Sequence, residues 1–83
     1  MVMGRVIGNI VSTRKNENMV GSTILEIRII ENGQDTERTI VALDSLGAGI
    51  GERVLVSLGS SARLALTNKA TPADAVVVGI VDE

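Results

Sequence analysis

The chain has 83 residues and a formal net charge of -2, which allows one domain with a small core. It holds no cysteine and no histidine, so disulfides and the usual nitrogen- or sulfur-ligated zinc and iron sites are excluded, and association with further copies is the remaining staple for so small a domain. Aromatic residues are also absent and the pI is near 5.0, which disfavours single-stranded nucleic acid, bound through stacking rings and a basic groove, and anionic membrane surfaces.

The first 13 residues, MVMGRVIGNIVST, read as a strand that is apolar on both faces. Val6 and Ile10 are expected on one face and Ile7 and Val11 on the other. Gly4 and Gly8 interrupt the strand, as glycines do at a bulge, a sharp bend or a close backbone approach. Arg5 and Asn9 break any signal-peptide core, and no run approaches the roughly 18 apolar residues of a spanning helix. A soluble cytoplasmic protein without a membrane partner is the expectation.

Residues 14–22 (RKNENMVGS) form a polar loop in which Arg14 and Lys15 are read as solvated charges. Residues 23–30 alternate cleanly. Leu25, Ile27 and Ile29 face one way and Glu26 and Arg28 the other, the pattern of a half-buried strand. Asn32-Gly33 is a strong hairpin turn, and residues 37–43 return as the partner strand.

The stretch DSLGAGIGERVLVSLGSSAR then combines a glycine-rich loop, a strand over 53–58 with Val54, Val56 and Leu58 on one face, and a serine pair. Ser60 or Ser61 caps a helical turn over 62–66, and Arg63 at the third position beyond Ser60 rules out a capping box. Residues 67–72 connect to a last strand over 74–82, DAVVVGIVD, again apolar on both faces. One helical turn is too small to cover the outer faces of both the first and last strands, so a neighbouring subunit is expected there. Five short strands and one short helical turn without βαβ alternation predict an all-β, small five-stranded OB-like Greek-key barrel.

Little chemistry fits this pattern. Asp44 and Glu52 flank the glycine loop and are the one carboxylate pair in an unusual segment, but an Asp before a turn normally accepts backbone N–H bonds. Ser60 and Ser61 have no histidine to activate them. The glycine run suggests a phosphate loop until its spacing is read. The position three residues after Gly49 is Glu52, and a strand follows where a helix N-terminus is required. Alternating glycines suit close backbone approach, as at a crowded symmetry axis.

GRVIGNIVSTRK at the start, VALDSLGAGIGERVLVSLGSSAR in the middle and PADAVVVGIVD at the end together resemble the EutN/CcmL family, the pentameric vertex proteins of bacterial microcompartment shells. The resemblance implies a homopentamer that caps the corners of a polyhedral shell otherwise tiled by hexameric shell proteins, enclosing metabolic enzymes in the bacterial cytoplasm. It implies no catalysis and no cofactor. Gly47, Ala48, Gly49, Ile50 and Gly51, with Ser60, Ser61 and Arg63, become the candidate residues for subunit contact or the central opening. Members of this family commonly continue past the Val-Asp near the end, so the barrel faces are expected to carry more of the assembly here. The competing reading is an OB-fold binding module for nucleic acid or a small anionic ligand, which the fold permits and the composition opposes.

Overall fold

Five strands make up the regular structure of residues 1–11, 22–59 and 74–82, which are the residues described in this computed structural model. They are β1 (Val2–Ile10), β2 (Thr23–Glu31), β3 (Gln34–Asp44), β4 (Arg53–Leu58) and β5 (Ala75–Val81). The strands close into a barrel in the order β1-β2-β3-β5-β4, the OB-like arrangement expected. All neighbours are antiparallel except β3 and β5, which run parallel and meet at one register pair, Leu43 with Val76. Beside that seam lies a notch of about 400 Å³ lined by Ile40, Val41, Leu58, Gly59, Asp74 and Ala75. The helical turn expected over 62–66 lies outside the described residues.

The β2–β3 hairpin follows from its turn chemistry. Asn32 (φ 53°) and Gly33 (φ 77°) both adopt the left-handed conformation of a two-residue hairpin turn, and Glu31 pairs with Gln34 directly across it. This hairpin start brings β3 in three residues earlier than the expected residue 37.

The interior is filled by strand-alternating aliphatics. Val6, Leu25, Ile27, Val54 and Val56 are each 1% exposed or less, with Ala42, Ala75 and Val77 packed among them. Burying each large side chain is worth about 1.5–3 kcal/mol. Gly4 makes this packing possible, because a Cβ there would lie 2.2 Å from Cγ2 of Ile27 and 3.0 Å from the carbonyl oxygen of Arg28. That is the close approach for which a strand glycine is kept.

Two expectations about β1 and β5 are corrected. Val6 pairs with Ile27 but Gly8 pairs with Glu26, so Ile7 is the extra residue of a bulge. One inserted residue reverses the alternation, so Ile10, opposite Ile24, leaves the face of Val6. Val11 falls beyond the strand and is 89% exposed. In β5, Val77 points into the barrel at 2% exposure, while Val76 at 1% forms a second small cluster with Leu43, flanked by Ile24 and Val78. The chain itself therefore covers the start of β5 on both sides, whereas Ile80 near its end stays 37% exposed.

The glycine loop as a candidate contact site

The loop leaves β3 at Asp44, whose side chain is turned inward and only 2% exposed. Asp44 Oδ1 accepts the N–H of Leu46 at 3.0 Å, and Oδ2 accepts those of Gly47 at 3.1 Å and Ala48 at 2.9 Å. Glu52 completes the turn from the far side. Its Oε1 accepts the N–H of Gly49 at 2.6 Å, and its own N–H donates to the Gly49 carbonyl at 3.1 Å. Both carboxylates thus serve as caps for backbone donors, and for Asp44 those bonds offset the cost of its burial.

The loop is also stitched to β1. Gly51 N–H donates to the Val6 carbonyl at 2.8 Å and Val6 N–H to the Glu52 carbonyl at 3.0 Å. Arg5 Nη1 donates to the Gly51 carbonyl at 2.9 Å, while its Nε reaches Asp35 Oδ2 at 3.3 Å. One arginine therefore ties the end of the loop to the start of β3.

The glycines divide by role. Gly47 (φ 86°) and Gly51 (φ 92°) sit in the left-handed region, where a side chain is strained. Gly49 does not, but a Cβ there would lie 3.2 Å from Oε1 of Glu52, against the carboxylate that caps it. Ala48 turns inward onto the core cluster. Leu46 and Ile50 point out, 51% and 66% exposed.

This geometry leaves the loop little chemical capacity. An anion would need amides that Asp44 and Glu52 already occupy, and it would meet those carboxylates. Among the described residues no group of three His, Cys, Asp or Glu side chains is placed to hold a metal. The loop offers a fixed backbone with two aliphatic side chains held in solvent, which suits a contact surface.

Of the residues singled out from sequence, Gly47, Ala48, Gly49, Ile50 and Gly51 form this loop, with Asp44 and Glu52 as its caps. Ser60, Ser61 and Arg63 lie outside the described residues. Leu46 and Arg5 belong to the site and were not singled out. Leu46 is a large aliphatic just before a glycine run, and Arg5 is a cation inside an apolar strand, so each carried a signal.

A family model described as "Ethanolamine utilisation protein EutN/carboxysome" matches residues 1–82. The bacterial microcompartment shell vertex protein GrpN of Rhodospirillum rubrum is 47% identical, covering 99% of this chain and 93% of its own length. The carboxysome shell vertex protein CcmL of Gloeobacter violaceus is 46% identical, with 99% and 83% covered. The solved structure of Gloeobacter violaceus CcmL superposes with a TM-score of 0.92 at 44% identity over 99% of this chain and 86% of that one. A solved GrpN pentameric microcompartment shell protein from Rhodospirillum rubrum gives a TM-score of 0.88 at 44% identity, covering 100% and 95%.

Proposed function

Because the chain belongs to the EutN/CcmL family of bacterial microcompartment vertex proteins, we propose that it forms cyclic pentamers that close the corners of a shell in the bacterial cytoplasm. Its role is geometric and not catalytic. A flat array of hexameric tiles acquires curvature where five-fold units are inserted, and a small barrel with a rigid outward-facing loop suits such an insert. The hexameric tiles are its partners in this reading.

The observation that carries the loop assignment is the inversion within it. The amides of Leu46, Gly47, Ala48 and Gly49 are taken by Asp44 and Glu52, while the side chains of Leu46 and Ile50 stand exposed. We assign Gly47 to Gly51, with Leu46, to contact with a neighbouring subunit of the ring, and Ser60, Ser61 and Arg63 to the same role by family resemblance. A head-to-tail ring joins two different patches of one chain, so a single loop side is sufficient. Nucleic-acid binding gains no support from a site without aromatic residues or available amides.

Co-expression with a hexameric shell protein tests this reading. Electron microscopy is expected to show five-fold density at shell corners with the wild-type chain and empty corners with Ile50→Asp. Corner density unaffected by Ile50→Asp would remove the loop from the contact. Corners that never contain the wild-type chain would remove the vertex role.

A further inference from the structure

Asn32-Gly33 shapes the turn between β2 and β3, and it is also the one Asn-Gly pair in the chain. An asparagine side chain ends in an electrophilic amide carbon, Cγ, on which the backbone nitrogen of the next residue can close a five-membered ring. Two things ordinarily hinder that step: the side chain of the following residue, and hydrogen bonds that hold either reacting group. Neither is present at this hairpin tip.

Residues 31–35 are all exposed. Among the described residues no hydrogen bond holds the Asn32 side-chain amide or the Gly33 N–H. Gly33 brings no side chain, and nothing lies within 4 Å of where its Cβ would stand, so the approach to its nitrogen is open. Asn9 provides the contrast. It lies within β1, opposite Leu25, and is followed by Ile10, whose branched Cβ crowds the backbone nitrogen.

The remaining obstacle is conformational. Asn32, at φ 53°, is in the left-handed turn conformation, which points the Gly33 nitrogen away from Cγ. Ring closure therefore waits for the tip to leave that turn, which means loosening the pair of Glu31 with Gln34. Exposed turns with few buried contacts open at the low end of a protein's range of local stabilities. Two side chains next to the tip oppose its opening: Thr36 Oγ1 donates to the Ile29 carbonyl at 2.8 Å, and Arg38 pairs with Glu31.

We propose that Asn32-Gly33 is a self-modification site, at which opening of the hairpin tip lets the Gly33 nitrogen attack Asn32 Cγ. The Gly33 nitrogen gives its proton to hydroxide and bonds to Cγ. The bond from Cγ to the side-chain nitrogen breaks, and that nitrogen takes a proton from water and leaves as ammonia. Water then opens the cyclic imide on one of its two sides. Addition at Cγ restores the main chain and leaves aspartate at position 32. Addition at the main-chain carbonyl carbon leaves isoaspartate, with the chain running through Cγ and one methylene longer. Either product adds a negative charge beside Glu31 and close in sequence to Asp35, the partner of Arg5, which braces the glycine loop. The chemistry needs only water and does not depend on the vertex reading.

The test ages the assembled full chain at mildly alkaline pH and reads position 32 by peptide mass spectrometry. An endoprotease specific for aspartate separates the aspartyl from the isoaspartyl product. Asn32 is expected to convert about tenfold faster than Asn9, with isoaspartate the major product. Thr36→Val removes the bond to the Ile29 carbonyl while keeping a strand-forming side chain, and should speed conversion about fivefold. Thr36→Ser, which keeps the hydroxyl, should stay near the wild-type rate. Conversion at Asn9 as fast as at Asn32 would overturn the proposal. So would a position 32 that stays an amide in the folded chain over the time in which it converts in urea, or a rate unchanged by Thr36→Val.

Discussion

Inside the barrel, Val6, Leu25, Ile27, Val54 and Val56 are removed from water and have no polar side-chain group to satisfy. In the segment from Asp44 to Glu52 the arrangement is reversed. The carboxyl of Asp44 is turned inward onto three backbone amides, and Leu46 and Ile50 are left in solvent. The first region is held by area removed from water, the second by directed hydrogen bonds to carboxyl groups. The two regions thus rest on different forces, and the loop can present a surface without drawing its own stability from that surface.

Substitutions that act on one region and spare the other sharpen this comparison. Ile27→Ala removes a fully buried side chain at the centre of the core and should cost about 4 kcal/mol in urea unfolding, with the loop intact until the barrel melts. Asp44→Ala leaves the amides of Leu46, Gly47 and Ala48 without their acceptor and should cost about 2–3 kcal/mol. Hydrogen exchange should then rise at residues 46–48 well before it rises in β2. Gly51→Ala places a side chain at a φ of 92° and should cost about 1–2 kcal/mol, read as a shift in the urea midpoint. Ile50→Ser should change the stability of the dissociated chain by no more than about 0.5 kcal/mol, since the side chain is 66% exposed, yet abolish assembly. Equal losses of stability and assembly across this series would erase the distinction between core and loop.

The interior was the part most readable from sequence, for a local reason. Alternation in β2 put Leu25, Ile27 and Ile29 on one face, and Asn32-Gly33 fixed the register of the hairpin that follows. The two strand glycines were informative as well, Gly4 as a close approach and Gly8 beside a bulge. What alternation could not locate was the bulge residue itself, Ile7, because either glycine was a candidate and one inserted residue changes every face beyond it. The cover over Val76 was hidden for a related reason. Both faces of β5 look equally apolar, and the parallel contact with Leu43 that buries one of them joins residues 33 apart in sequence. The loop was located by its glycines, but its bracing by Arg5 depends on a contact 46 residues away that no spacing rule contains.

In the proposed ring, the chemically quiet, internally capped glycine loop holds neighbouring subunits together. Native mass spectrometry of the wild-type chain beside Ile50→Ser tests it most directly. The expected result is a pentamer for the wild type and a folded monomer for the variant, with closely similar unfolding curves once both are dissociated. A wild-type chain that stays monomeric, or an Ile50→Ser chain that remains pentameric, would contradict it.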